Sequence, residues 1–171
     1  MTRPDYNLLP MTKLSHVDAR GKARMVDVGR KQPTRRQAVA RGVVTMTKEA
    51  FDRVRGNSAA KGDVLGVARI AGICAAKRTA ELVPLCHPVP LDVVEIKLEL
   101  DVRRRAVIIE ARACTRAPTG VEMEALTAVA VAGLTVYDMI KAVDRTAVVS
   151  EIKLIEKSGG RSGHYKRPAG G

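Results

Sequence analysis

Val94-Glu-Ile-Lys-Leu-Glu-Leu-Asp101 decides how the rest of this 171-residue chain is read. Val94, Ile96, Leu98 and Leu100 alternate with Glu95, Lys97, Glu99 and Asp101. Successive side chains of a strand point to opposite faces, so the stretch is a strand buried on one side and solvated on the other, as in an antiparallel sheet. Arg103-Arg104 make a polar turn, and Ala106 to Thr115 returns with Val107, Ile109, Ala111 and Ala113 inward. The pair is a hairpin.

Working outward, Pro84, Pro88 and Pro90 force an irregular loop, Val83-Pro-Leu-Cys-His-Pro-Val-Pro90. Before it, Asp63 is an N-cap, and Val64, Ala68, Ala71 and Ala75 recur at near-helical spacing through about Leu82. Gly42 to Thr47 reads as a short strand and Lys48 to Arg55 as a short helix closed by Gly56. After the hairpin, Thr119-Gly120 opens a second long helix, about Val121 to Val143, apolar almost all round. Val148 to Ile155 is a last strand. Strand, helix, hairpin, helix, strand predicts an α+β fold: a ferredoxin-like antiparallel sheet with two long helices packed on one face. A single domain over 1–171 is expected, with residues 1–13 and 158–171 as flexible arms.

Composition narrows the function. The formal charge is +12, and residues 1–61 hold 14 Lys/Arg against 5 Asp/Glu. Such a balance implies an acidic partner: nucleic acid, anionic lipid or a phosphorylated small molecule. Aromatics are 2% of the chain with no Trp, which counts against stacking on single-stranded bases. A core of Val, Ile, Leu and Ala buries less area per residue than an aromatic one, so subunit contacts are expected. No apolar run near ~20 residues is read in the chain, so no membrane span is expected, and Met1 to Pro10 lacks a signal-peptide apolar segment. Cys74, Cys86 and Cys114 are odd in number with no CxxC, so reduced thiols in a cytoplasmic protein are expected.

Three groups of residues can carry chemistry. On the second long helix, Asp138 falls within about 40° of Glu124, and Lys141 sits one turn beyond Asp138. Charges on so oily a helix need partners, and the same residues fit a structural ion pair or a catalytic pair. Glu122 falls on the opposite side. Cys86-His87 are fixed between prolines; adjacent residues cannot easily act as a thiolate–imidazole pair, and too few ligands accompany them for a metal site. His87 fits better as a hydrogen-bond partner of a substrate, or as a structural histidine. Lys61 lies at the mouth of a helix N-terminus, where N–H groups and the dipole favour anions, although Gly56 to Asp63 is not a Walker A motif. The Gly-rich tail from Lys157 to Gly163 has the composition of an anion nest or of a loose terminus.

Several segments together resemble a known family: Met25-Val-Asp-Val28, Lys61-Gly-Asp63, Ala68-Arg-Ile-Ala-Gly72, Leu85-Cys-His-Pro88, Thr119-Gly-Val-Glu-Met-Glu-Ala-Leu126, Val136-Tyr-Asp-Met139, Lys141-Ala142 and Lys157-Ser-Gly-Gly160. In order and spacing, from about Leu14 to Lys166, the chain resembles the cyclic pyranopterin monophosphate synthases of molybdenum cofactor biosynthesis. The resemblance implies a lyase that converts 3′,8-cyclo-7,8-dihydroguanosine 5′-triphosphate to cyclic pyranopterin monophosphate and pyrophosphate. It implies a homohexamer, a trimer of dimers with interface active sites, and no cofactor or metal, although Mg²⁺ accompanying the triphosphate is compatible. Carried over by motif, Lys61 and Lys141 are the acid/base pair and Asp138 the catalytic carboxylate. Leu85, Cys86, His87, Met123 and Glu124 become pterin-side contacts, with Glu122 near them. Asp27, Lys31, Arg36 and Lys157 become triphosphate-side or interface residues. Where many members carry Lys or Arg before Thr-Gly, this chain has Pro118, a position for which Arg116 could substitute.

One lysine donating and one accepting suits a reaction that only moves protons and phosphoryl groups. The alternatives to that reading are a basic nucleic-acid-binding module and an idle scaffold of the same family; the synthase reading involves neither nucleic acid nor membrane.

Overall fold

The computed structural model describes residues 22–160 and 163–168. Its centre is β1 (Thr34–Thr45), flanked by β3 (Ala106–Ala117) and β4 (Val148–Ser158), with β2 (Val93–Asp101) and β5 (Tyr165–Lys166) at the edges. Every neighbouring pair is antiparallel, in the order β2-β3-β1-β4-β5. The expected hairpin pairs Val94 with Ala113 and Leu98 with Ile109. The first four strands and two crossover helices make the ferredoxin-like βαββαβ arrangement.

The strand expected at Gly42 starts instead at Thr34. Its charged first half hid it: Arg35 and Arg41 stay exposed while Ala38 and Ala40 are fully buried. Pairing on both sides, with β3 and with β4, overrides the weak local signal. Arg41 meets Glu110 at 2.7 Å on the helix-free face, where such exposed pairs stabilise little.

Helix α1 (Lys48–Arg55) is as expected, capped by Thr47 and closed at Gly56. The next helix stops sooner than predicted. α2 (Val64–Ala76) begins with the Asp63 side chain accepting from the Gly66 amide, then gives way to α3 (Thr79–Leu82). Buried Thr79 turns its hydroxyl back onto the carbonyls of Ala75 and Ala76, at 3.5 and 3.0 Å, satisfying groups that a continuing helix would use.

α4 (Glu122–Ile140) crosses β1, β3 and β4 and packs along α2. Gly72 lets α2 approach it closely, since a Cβ there would lie 2.8 Å from the Ala128 carbonyl oxygen and 2.4 Å from Ile96 Cδ1. At 19 residues and mean hydropathy 1.4, α4 is long and apolar enough to cross a bilayer, contrary to expectation; half of it is buried, as in the core helix of a sheet-covering layer. The expected arm 1–13 lies outside the described residues. Within the other expected arm, Lys157 pairs with Tyr165 and Glu156 with Lys166, so the chain after Ser158 returns as an edge strand.

Candidate active site

The last turn of α4 gathers three of the expected residues. Asp138 Oδ1 receives Lys141 Nζ at 2.7 Å, one turn on, and Asp138 Oδ2 receives Lys61 Nζ at 2.7 Å. Lys61 also donates to the Asp138 carbonyl oxygen at 3.0 Å. It arrives from the loop between α1 and α2, which Gly62 turns with φ of +89°. All three side chains are about half exposed. Hydrogen bonds from Lys141 and Lys61 hold the Asp138 carboxyl down at about 2, and the same contact pushes Lys141 up. The contact with Asp138 favours the ammonium form of Lys141, the form a proton donor needs.

The opposite end of α4 has a different character. Leu85, Cys86, His87, Val89, Thr119, Gly120, Glu122, Met123 and Glu124 line a cavity of about 180 Å³. Glu124 is 5% exposed, and burial, with the Glu122 charge adding to it, pushes its carboxyl up. Burial and then the Glu124 charge likewise raise the Cys86 thiol, so Cys86 is a poor nucleophile. His87 takes its place on the wall beside it.

A second cavity, of about 260 Å³, shares Thr119, Gly120 and Glu122 with the first and is lined by Lys31, Arg36, Pro118 and Lys157. Lys157 Nζ lies 3.0 Å from Glu122 Oε1, so Glu122 does reach the site and forms the partition between the two hollows. Arg36 donates from Nη2 to the Pro118 carbonyl at 3.3 Å and from Nε to that of Ala117 at 3.4 Å. The cation beside Pro118 is thus Arg36, from the neighbouring strand; Arg116 is exposed and lines neither cavity. Gly159 and Gly160 have φ of +98° and +75°, and a Cβ on Gly160 would lie 1.4 Å from Arg36 Nη1. Only glycine admits the guanidinium there. Asp27 is exposed, accepts from the Gly29 amide at 2.9 Å and lines neither cavity; it turns the segment that leads to Lys31.

The chain therefore brings its expected residues together in two groups. Fourteen residues of helix separate Glu124 from Asp138, roughly 21 Å at 1.5 Å per residue. Sequence reasoning missed the Lys157–Glu122 ion pair and the hold of Arg36 on the Ala117 and Pro118 carbonyls, because both depend on neighbours distant in the chain. Among the described residues, no group of three or more His, Cys, Asp or Glu is placed to hold a metal ion.

Residues 25–160 match the MoaC family. The chain is 59% identical over 157 residues to a cyclic pyranopterin monophosphate synthase of Heliobacterium modesticaldum, covering 92% of this chain and 99% of that protein. It is 60% identical over 157 residues to the protein of the same name from Thermomicrobium roseum, covering 92% and 95%. Against human molybdenum cofactor biosynthesis protein 1 the identity is 55% over 164 residues, 96% of this chain but 26% of the human protein.

Proposed function

The chain belongs to the MoaC family, and from that premise we propose that it performs the reaction for which its relatives are named. It is a lyase of molybdenum cofactor biosynthesis: the cyclo-dihydroguanosine triphosphate enters, and cyclic pyranopterin monophosphate and pyrophosphate leave. The observation that carries the residue assignment is the meeting of two ammonium groups on one carboxylate at the end of α4.

Ring opening and rebuilding require protons to be delivered to and taken from nitrogen and oxygen. Lys61 and Lys141 supply ammonium donors, and Asp138 orients both. Transfer of a Lys141 proton to substrate leaves the amine that accepts the next one, so donor and acceptor follow in sequence rather than pre-exist. Glu124, its carboxyl pushed up by burial, reads the guanine-like edge together with His87 in the smaller cavity. Arg36, Lys31 and Lys157 face the phosphates in the larger one, where guanidinium and ammonium groups stabilise the charge gathering on the leaving pyrophosphate. No electrons are transferred, so the reading assigns no resident cofactor; any Mg²⁺ would arrive with the triphosphate.

The distance along α4 supports a site shared by two chains, with the lysines of one facing the cavities of its partner. The outer helical face carries exposed Val67, Ile70, Met123 and Leu134, apolar area suited to a subunit contact. We place these contacts in a homohexamer built from dimers. The free thiols of Cys74, Cys86 and Cys114 fit a reducing cytoplasm.

Incubation of the purified chain with GTP and the upstream radical enzyme, followed by oxidation and pterin fluorescence, tests the reading. Formation of the cyclic monophosphate with equimolar pyrophosphate is expected. A folded oligomer that leaves the triphosphate untouched would be the idle scaffold instead.

A further inference from the structure

The described residues bury two acids, Glu124, which lines the smaller cavity, and Asp144. Asp144 is 3% exposed and lines neither cavity of the site. It is held by uncharged donors: its Oδ2 accepts from the Thr47 amide at 2.7 Å, and its Oδ1 from the Thr146 amide and hydroxyl at 2.8 and 2.7 Å. Burial works against its charge, yet these donors keep its carboxyl below the usual range, so it is an ionised acceptor. Charge-assisted bonds of this kind are the stronger sort.

The positions of its partners matter. Thr47 caps α1, and the chain leaving α1 carries Lys61. Asp144 itself closes the turn after α4, its amide donating to Ile140 at 3.0 Å, three residues beyond Lys141. The Lys61–Asp138 contact is half exposed on both sides and too weak to hold a loop in place by itself. Ala50, Phe51 and Val54 seat α1 on the core, but apolar contact is non-directional. A directional bond is needed to fix its register against the end of α4.

We infer that Asp144 is a positioning residue: through the Thr47 amide it locks the segment bearing Lys61 to the turn bearing Asp138 and Lys141. Its effect on rate rests on the synthase reading; its effect on geometry does not.

Two substitutions cut the same bond from opposite ends. Asp144→Asn offers one acceptor oxygen and cannot satisfy both Thr47 and Thr146. Thr47→Pro removes the amide N–H at a φ of −63° that proline adopts without strain; Thr47→Ala, which keeps the N–H and loses only the cap oxygen, is its baseline. Each of D144N and T47P is expected to lower kcat about tenfold with KM changed by less than about twofold, as displacement of catalytic groups does. The double variant should be no worse than T47P alone, because the bond is lost once. In the unliganded protein, carbon-13 NMR should show the Asp138 carboxyl rising from about 2 as Lys61 withdraws. Variants that melt earlier but keep wild-type kcat, with Asp138 still at about 2, overturn the inference. Should D144N fail to fold, T47P decides. Should the wild-type chain prove inactive, the synthase reading fails while the NMR measurement still judges the positioning.

Discussion

The two ends of α4 carry acids of opposite disposition. Glu124, at the start, is buried and its carboxyl is pushed up; Asp138, near the end, is exposed and held at about 2 by two lysines. They share one helix and lie within about 40° of each other around it. What separates them is what packs above each. Buried Glu124 shares a cavity with the proline-fixed loop, whereas the loop from α1 leaves Asp138 open and brings it Lys61. One helix thus presents at one end a buried acid that binds its proton more tightly than usual, and at the other a carboxylate held between two lysines.

The sharpest way to break this contrast is to remove a lysine. Lys61→Ala and Lys141→Ala are each expected to lower turnover by at least ~10²-fold, the scale for losing a general acid or base. Near-normal steady-state rates in a folded Lys61→Ala protein would strike it from the mechanism. Next in size, Gly72→Ala forces a Cβ against the Ala128 carbonyl where α2 crosses the middle of α4. Overpacking of this kind costs about 1–3 kcal/mol, readable by urea denaturation; an unchanged midpoint would mean the helices part freely.

Smaller effects test the first end. Arg36→Ala should raise KM about tenfold with little loss of kcat, since a phosphate contact made before and during reaction contributes uniform binding. An unaltered KM would restrict Arg36 to its hold on the Ala117 and Pro118 carbonyls. The smallest change concerns the acids themselves. Because Glu124 binds its proton more tightly folded than unfolded, its ionisation costs stability as pH rises above its ordinary 4.5. Glu124→Gln should therefore raise Tm by a few degrees at pH 7 and by less near pH 4. Asp138 has the opposite sign: its contribution is complete above its ordinary 3.8 and fades as pH falls toward 2. Asp138→Asn should flatten the acid limb of the stability profile, and an Asn variant with the wild-type acid slope would show that its lysines bind it only weakly.

Much of this was legible in the residues. The alternation of Val94–Asp101 gave the hairpin, the oily runs gave both helices, and helical spacing put Asp138 beside Lys141. β1 was half hidden, since Thr34-Arg-Arg-Gln37 looks like a charge cluster until strands on both sides claim its backbone. The break after Ala76 was invisible because a hydroxyl makes it, without proline or glycine. Within the site, residue types and motif order named the participants; nothing local indicated that Lys61 would bond to Asp138 or that Lys157 would face Glu122.

The sequence by itself determined which faces are apolar, where the chain must turn, and which side chains can hold or move a proton, because periodicity and residue chemistry act over a few neighbouring residues. Only the tertiary structure decided in which direction each acid's proton affinity moves, which lysine meets Asp138, and that the two groups stand a helix length apart. Those properties depend on desolvation and on charges a few ångströms away in space, and such neighbours are brought together by packing from positions far apart in the chain.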